Sequence, residues 1–187
     1  MVENLGNLKE MINLPCFILV GGKSSRFKKD KSKLFYKIQY KKCKQIFKKV
    51  YFVAKYRKFK NYPFFIEKSK IYAPIFALEE VIKKYKKIFI LSVDTPLIKE
   101  KTLFKLVKQK ATILDNPLIG YYDYTMLRKL NYYKKNTLKV KLINKKKIKI
   151  DKKELLNVNR VADLKFFKNY NNISLLFVKY FVKKGFK

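Results

Sequence analysis

A short apolar run that ends in two glycines constrains the fold of this chain most strongly. Residues 16–20 are apolar without interruption and rich in β-favouring side chains, and Gly21 and Gly22 follow directly. Such a run is typical of a strand that is buried on both faces of a parallel sheet. Two glycines allow the chain to turn tightly and to approach a ligand without a clash from a Cβ atom. We therefore predict a strand that ends in a ligand-binding loop.

The loop after this strand has the composition of a phosphate-binding cradle. Ser24 and Ser25 offer hydroxyl donors beside the backbone N–H groups, and the cations Arg26 and Lys31 follow. Such groups hold phosphate oxygens and neutralise their charge. A Walker A loop is excluded because Phe17 stands where its first glycine is needed, and neither glycine starts the spacing of a dinucleotide fingerprint. The alternative is that this loop binds no nucleotide.

The net charge of this chain suggests a polyanionic partner, but its distribution argues against one. The chain has 187 residues, 48% of them hydrophobic, and 47 Lys and Arg against 13 Asp and Glu give a net charge of +34. This hydrophobic content excludes a disordered chain. The lysines spread along the whole length, whereas proteins that read nucleic acids rely heavily on Arg, which is scarce here. We therefore attribute the charge mainly to genome composition and keep a basic nucleic-acid-binding protein as an alternative.

The densest basic cluster is interpreted as a solvated turn between two elements, with a landing site for an acidic partner or RNA as the alternative. It consists of Lys145, Lys146, Lys147, Lys149, Lys152 and Lys153. Cys16 and Cys43 show no metal-ligand spacing, and Cys16 is expected to be a small apolar residue of the buried strand. Charged residues precede the first apolar run, and no run approaches the roughly 20 residues that span a bilayer. The expected location is the cytoplasm.

Apolar runs and helical patterns alternate along the chain. This alternation predicts an α/β fold with parallel βαβ units in a layered sheet, as one domain over 1–187. Residues 1–13 are expected to form an amphipathic lead-in. Strands are predicted at 16–20, 50–54, 64–66, 88–93, 113–114 and 118–122, and helices around 38–48, at 75–86, around 103–107, near 124–133 and within 161–187.

A second candidate site follows the predicted strand that ends at Val93. Ligands of open α/β sheets lie beyond the carboxyl ends of the strands, where both the glycine loop and Asp94 are expected. Mg²⁺ takes one or two carboxylates together with phosphate oxygens, so Asp94 alone is chemically sufficient as a protein ligand. The alternative is an Asp that only forms a turn ahead of Pro96.

Four segments of the chain together resemble the molybdenum cofactor guanylyltransferases, the enzymes that make molybdopterin guanine dinucleotide. The loop segment alone marks the wider nucleotidyltransferase superfamily, and the set is more specific. The matching segments are 19–27 with Asp30 and Lys31, 92–97, 116–120, and 156–159 with Asp163 and Leu164, so the resemblance runs from about residue 15 to 165.

The resemblance implies a Rossmann-like three-layer αβα nucleotidyltransferase fold with a mostly parallel mixed sheet. It implies binding of GTP and Mg²⁺, transfer of GMP to the terminal phosphate of molybdopterin, and release of pyrophosphate. Acidic molybdoenzymes or cofactor-delivery proteins are further expected partners. A membrane partner is not expected.

The resemblance also assigns roles to residues. Leu19, Val20 and Gly21 are expected on the base and ribose side of the loop, with Glu67 contacting the nucleotide. Asn157 and Asn159 are expected near the metal and the pterin phosphate, with capping of the last helix as the alternative. From the chemistry of the residues, Gly22, Ser24, Ser25, Arg26 and Lys31 are expected at the triphosphate and Asp94 at Mg²⁺.

The chain departs from the family pattern where the base is selected. Ala73 and Ala77 replace two glycines of a Gly-Pro-Leu-Ala-Gly segment, and Lys28 replaces a glycine of the loop. Val53, with Lys55 nearby, occupies a position that often carries Asn. Guanine selectivity is therefore the open question. A nucleotidyltransferase that uses CTP or UTP on a small phosphorylated acceptor is the nearest alternative, and a protein that only carries the cofactor is another.

The chain contains no His, which excludes Ser-His and Cys-His nucleophilic catalysis. Nucleotidyl transfer to a phosphate does not need such a pair, because a phosphate monoester is already ionised at neutral pH. Catalysis can then rest on positioning and on charge neutralisation by Arg26, Lys31 and Asp94-bound Mg²⁺.

Overall fold

The computed structural model describes residues 10–21, 32–140 and 143–156. The strands are β1 (Cys16–Leu19), β2 (Val50–Ala54), β3 (Phe64–Ile66), β4 (Lys87–Ser92), β5 (Thr112–Ile113), β6 (Gly120–Asp123) and β7 (Lys147–Ile148). The helices are α1 (Ser32–Lys44), α2 (Pro74–Tyr85), α3 (Glu100–Lys108) and α4 (Leu127–Asn136), with short 3₁₀ helices at Tyr124–Met126 and Lys152–Leu155. Within these ranges, no helix combines the length and the apolar character that crossing a bilayer requires.

The strands form a mixed, mostly parallel sheet. The described strands lie in the order β3-β2-β1-β4-β6-β5-β7. The pairs β1–β2, β1–β4, β2–β3 and β5–β7 are parallel, whereas β6 runs antiparallel to both β4 and β5. The chain leaves β1 in one direction for β2 and reaches β4 on the other side, so the strand order reverses beside β1. In open α/β sheets, this is where ligands bind.

The helices cover both faces of the sheet. Cys16 and Ile18 of β1 belong to an apolar cluster with α1 and α3, whereas Phe17 and Leu19 belong to a second cluster with α2 and α4. This split follows from the period of two in a strand, which points successive side chains to opposite faces. Each fully buried large apolar side chain stabilises the fold by about 1.5–3 kcal/mol. The predicted three-layer arrangement is confirmed.

The predicted strands and the helix α2 are confirmed within one or two residues, the bounds of α3 and α4 differ from the prediction by up to three residues, and the first helix is the main exception. It was expected around 38–48 but spans Ser32–Lys44. Ile46 and Phe47 continue the apolar pattern, which extended the expected helix too far. In the structure they are buried beyond the helix, where the Ile12 N–H donates to the Ile46 carbonyl and Ile12 pairs with Phe47.

The basic cluster at 145–153 is only partly the turn that the sequence suggested. Lys147 and Ile148 form β7, which pairs with β5 at the edge of the described sheet. Ile148 is buried while Lys147 is exposed. Lysines on an edge strand discourage pairing with other chains, which gives this cluster a structural role. A two-residue strand between lysines is too short to produce a recognisable pattern.

Residues 1–9 of the lead-in predicted at 1–13, and the predicted helix within 161–187, lie outside the described residues, whereas Ile12 pairs with Phe47 in an isolated bridge. A single domain over the whole length therefore stays a prediction.

Candidate active site

Three predicted site segments lie together at the carboxyl ends of four neighbouring strands, β3, β2, β1 and β4. Leu19 pairs with Val53 of β2 and with Ser92 of β4. The pairing continues past the strand ends, because the Val93 N–H donates to the Leu19 carbonyl at 3.3 Å and the Glu67 N–H donates to the Ala54 carbonyl at 3.0 Å.

Gly21, Glu67 and Asp94 therefore follow the ends of β1, β3 and β4 on one side of the sheet. Leu19 and Val20 are also described, whereas seven predicted site residues lie outside the described part of the chain, namely Gly22, Ser24, Ser25, Arg26, Lys31, Asn157 and Asn159.

A small pocket of about 90 Å³, open to solvent, lies at these strand ends. It is bounded by the ends of β1 and β2, by the segment between β3 and α2, and by the start of α2. Its lining consists of Leu19, Gly21, Val53, Lys55, Glu67, Tyr72, Ala73, Pro74 and Ala77. Three predicted nucleotide-binding residues thus line one cavity, together with Val53, Ala73 and Ala77, at which the chain departs from the family pattern.

Val20 has no part in this lining, since its side chain is buried in the core. Its carbonyl accepts a hydrogen bond from Lys58 Nζ at 2.8 Å, which ties the start of the glycine loop to the segment after β2. Any contact of Val20 with a ligand would come from its backbone.

Gly21 leaves space for the Glu67 side chain beside the backbone. Its φ does not lie in the positive range that favours glycine. A Cβ atom at this position would lie 3.2 Å from Glu67 Oε1, closer than nearly all real Cβ contacts. The glycine therefore permits close approach of the Glu67 carboxylate.

Asp94 is half-buried in the turn after β4. The Ser92 hydroxyl donates to Asp94 Oδ1, and the Thr95 hydroxyl donates to the Ser92 carbonyl at 3.1 Å. No group of three or more Asp, Glu, Cys or His side chains suited to a metal occurs in the described ranges. A single carboxylate still suits Mg²⁺, which completes its shell with phosphate oxygens and water. The donor set at Asp94 therefore fits Mg²⁺ that arrives with a nucleotide.

Two polar side chains of α1 fix the backbone around Asp94. Gln39 Nε2 donates to the Thr95 carbonyl at 2.9 Å, and Lys42 Nζ donates to the carbonyls of Pro96 and Ile98, each at 2.7 Å. Hydrogen bonds from a charged donor are stronger than neutral ones, so Lys42 holds this turn firmly. Sequence reasoning missed both residues. Their spacing of three on an amphipathic helix placed them on one face, but nothing indicated what that face contacts.

The stability of the protein is expected to depend on pH through Lys42. Burial lowers the pKa of Lys42 from 10.5 to about 8, an effect that Cys43, Glu100 and Glu154 oppose only in part. Between these values the unfolded state binds more protons, so this group makes the fold more stable as the pH rises. We expect the free energy of unfolding of the wild type, relative to Lys42→Met, to increase by about 2 kcal/mol from pH 7.5 to 10 in urea titrations.

Lys41→Met, at an exposed position of the same helix, controls for the loss of one positive charge. A difference between wild type and Lys42→Met that stays constant over this pH range would contradict the assignment.

Comparison with known proteins defines the class to which this fold and site belong. The family model described as the MobA-like NTP transferase domain matches residues 16–114, a range that contains the pocket and Asp94. The chain thus contains an NTP transferase domain and is an enzyme of the nucleotidyltransferase class.

Curated relatives identify the family to which the chain belongs. The molybdenum cofactor guanylyltransferase of Campylobacter jejuni subsp. jejuni is 33% identical over 183 residues, which cover 86% of this chain and 95% of the relative. That of Helicobacter pylori strain G27 is 30% identical over 183 residues, covering 81% and 90%. The chain belongs to the molybdenum cofactor guanylyltransferase family, as the resemblance of its motifs implied.

Solved structures agree on the fold. Molybdopterin-guanine dinucleotide biosynthesis protein A from Archaeoglobus fulgidus superposes with a TM-score of 0.68 at 17% identity, covering 89% of this chain and all of that one. A protein from Aquifex aeolicus superposes with a TM-score of 0.62 at 28% identity, covering 82% and 96%. The predicted nucleotidyltransferase fold is confirmed.

Proposed function

We propose that this protein transfers the GMP moiety of GTP to the terminal phosphate of molybdopterin and releases pyrophosphate. A new bond forms between the α-phosphorus of GTP and an oxygen of the molybdopterin phosphate, and the bond to the β-phosphate oxygen breaks. The product is molybdopterin guanine dinucleotide. The observation that supports this proposal best is the pocket at the carboxyl ends of β1 and β2, with Asp94 following the neighbouring strand β4.

The pocket is assigned to the nucleoside half of GTP. Leu19 and Gly21 would contact the base and ribose, and Val20 would contribute its backbone. Glu67 offers a carboxylate that can accept hydrogen bonds from the nucleotide, because Oε1 faces the position next to Gly21.

The triphosphate is assigned to the glycine loop and to Asp94. Gly22, Ser24 and Ser25 would donate hydrogen bonds to phosphate oxygens, while Arg26 and Lys31 would neutralise their charge. Asp94 would hold Mg²⁺, which when bound stabilises the negative charge that develops on the transferring phosphate.

The acceptor supplies its own nucleophile. A phosphate oxygen of molybdopterin is ionised at neutral pH, so no general base is required and the residues act by positioning and charge neutralisation. Asn157 and Asn159 are assigned to the acceptor phosphate. An acidic molybdoenzyme or delivery protein that receives the product would be attracted by the exposed lysines of the chain.

The proposed function is tested by a nucleotide panel. With molybdopterin and Mg²⁺ present, pyrophosphate release is measured with GTP, ATP, CTP and UTP at equal concentrations. We expect a clear preference for GTP. A preference for CTP or UTP would assign the protein to another branch of the nucleotidyltransferases, and binding of molybdopterin without turnover of any nucleotide would indicate a carrier.

Ala77 is expected to limit how well the pocket accepts a purine. Its side chain is buried at the pocket wall on α2, where the family pattern has glycine. We expect Ala77→Gly to raise kcat/KM for GTP by about tenfold relative to CTP, because removing one methyl group gives the larger base more room. Steady-state kinetics with both nucleotides measure this ratio.

Ala111→Gly is the matched control, since Ala111 is equally buried but lies between α3 and β5. It should change stability without changing the ratio. An unchanged ratio in Ala77→Gly would show that this position does not select the base.

A further inference from the structure

The ammonium group of Lys55 is held by three acceptors of the pocket wall. Lys55 Nζ lies 2.8 Å from Glu67 Oε2 and 2.9 Å from the Ile71 carbonyl, and it also donates to the Ser69 carbonyl. The Tyr72 ring centroid is 5.5 Å from Nζ, within the range of a cation–π contact. An ammonium group has three N–H donors, and three protein acceptors match them. Lys55 is therefore committed to the protein rather than to a phosphate.

All three acceptors, the Glu67 carboxylate and the Ser69 and Ile71 carbonyls, belong to the segment that forms one side of the pocket. This segment, residues 67–73, joins β3 to α2 and is called the wall segment below. The Glu80 carboxylate on α2 accepts from the backbone N–H groups of Lys68 and Ser69, at 2.8 and 2.9 Å. Lys55 donates to two carbonyls of the same segment. The Lys55 ammonium group thus holds carbonyls of the wall segment, and the Glu80 carboxylate holds two of its N–H groups.

Lys55 also determines where the Glu67 carboxylate points. One carboxylate oxygen is bound to Lys55, and the other faces Gly21. The Glu67 side chain is only 7% exposed, and that of Lys55 is 13% exposed. A carboxylate this deeply buried depends on its partner, because an unpaired buried charge is strongly unfavourable. Removing Lys55 would therefore release Glu67 from this orientation.

The position of Lys55 separates it from the phosphate end of the site. Lys55 follows β2 and Asp94 follows β4, with β1 between them. Neighbouring strands are about 4.8 Å apart, so the two strand ends are about 10 Å apart. Lys55 thus lies beside the nucleoside half of the pocket.

We propose that Lys55 is a positioning residue that sets the affinity for the nucleoside half of the nucleotide. It does so by holding the wall segment in place and by orienting Glu67 toward the glycine loop. This inference rests on the proposed function for the identity of the ligand. It gives a role in nucleotide binding to a residue whose ammonium group does not touch the substrate.

Lys55→Met is expected to raise KM for GTP about 10- to 100-fold, the effect of losing a charge-assisted contact, while kcat changes less than about threefold. Lys84→Met is the matched control, because Lys84 lies over the Phe65 ring on exposed surface and contributes nothing to the pocket lining. If Lys55→Met fails to fold, Lys55→Gln serves instead. A fall in kcat at unchanged KM would overturn the inference.

A double-mutant cycle separates positioning from general loosening of the fold. Glu67→Gln and Lys55→Met should be coupled, so that the KM of the double variant is at least about fivefold lower than the product of the single effects implies. Fully independent effects on KM would show that Lys55 does not act through Glu67 and would overturn the inference.

Hydrogen exchange without nucleotide tests the inference apart from the proposed function. Peptides that cover the wall segment should exchange at least about tenfold faster in Lys55→Met than in the wild type or in Lys84→Met. If the wild type transfers no GMP, the proposed function is wrong while this measurement still decides whether Lys55 holds the segment. Unchanged exchange together with unchanged KM would refute the inference.

Discussion

Asp94→Asn is expected to lower the rate of pyrophosphate release by about 100-fold or more at saturating GTP, since one lost electrostatic contact at a transferring phosphate typically costs this much. Asn keeps the shape of the side chain and an oxygen that can accept the hydrogen bond of the Ser92 hydroxyl. It removes the negative charge, which is the property that a Mg²⁺ ligand needs. The rate is measured by coupled pyrophosphate detection over a range of Mg²⁺ concentrations.

Asp123, which lies at the opposite end of the strands from Asp94, provides the control. Asp123 pairs with Lys87 at the start of β4, far from the end of the strand that carries Asp94. Asp123→Asn should therefore leave the rate within about twofold. Full turnover by Asp94→Asn, with unchanged dependence on Mg²⁺, would remove Asp94 from the site.

Gly120→Ala is expected to produce the largest loss of stability, about 3–5 kcal/mol in the free energy of unfolding. Gly120 has a φ of +147°, which L side chains rarely adopt, and an added Cβ would lie 2.5 Å from Thr112 Cα and 2.6 Å from the Ala111 carbonyl oxygen. These are backbone atoms of the neighbouring strand. Gly120 also pairs with Ile90 of β4 on its other side, so neither neighbour can move away. Urea unfolding monitored by circular dichroism measures the effect.

Gly21→Ala is the matched comparison for this substitution. Its added Cβ would meet the end of the Glu67 side chain at 3.2 Å, and Gly21 does not have a positive φ. We expect a loss of less than about 1 kcal/mol, because a side-chain terminus can shift. Equal losses for the two glycines would contradict the strain that we assign to Gly120.

The layered fold could be predicted because its signals are local. The runs at β1, β2 and β4 are apolar without interruption, and their alternate residues supply the two buried clusters. The helical pattern of α2 gave its bounds nearly correctly. The start of α1 was missed because a charged stretch precedes it, and β7 was missed because a two-residue strand carries no period.

The candidate site could be predicted only where a residue sits at a strand end. Asp94 was expected at the site because it follows a strand of a parallel sheet, and Glu67 was expected there from the resemblance to the family; the structure brings both to the carboxyl ends of the strands. No role was predicted for Lys42 or Lys55, since Lys42 binds backbone carbonyls 54 to 56 residues away and Lys55 binds the Glu67 carboxylate and two carbonyls of the segment after β3. Among so many lysines, no pattern distinguishes the few that hold a turn from those that only face solvent.

One measurement tests the central claim most directly. The purified protein is incubated with GTP, Mg²⁺ and molybdopterin, and the products are separated and identified by mass spectrometry, with Asp94→Asn as the inactive comparison. We expect molybdopterin guanine dinucleotide and pyrophosphate in equal amounts with the wild type, and at least about 100-fold less of both with the variant. Absence of the dinucleotide in the wild-type reaction, with molybdopterin recovered unchanged, would contradict the proposed function.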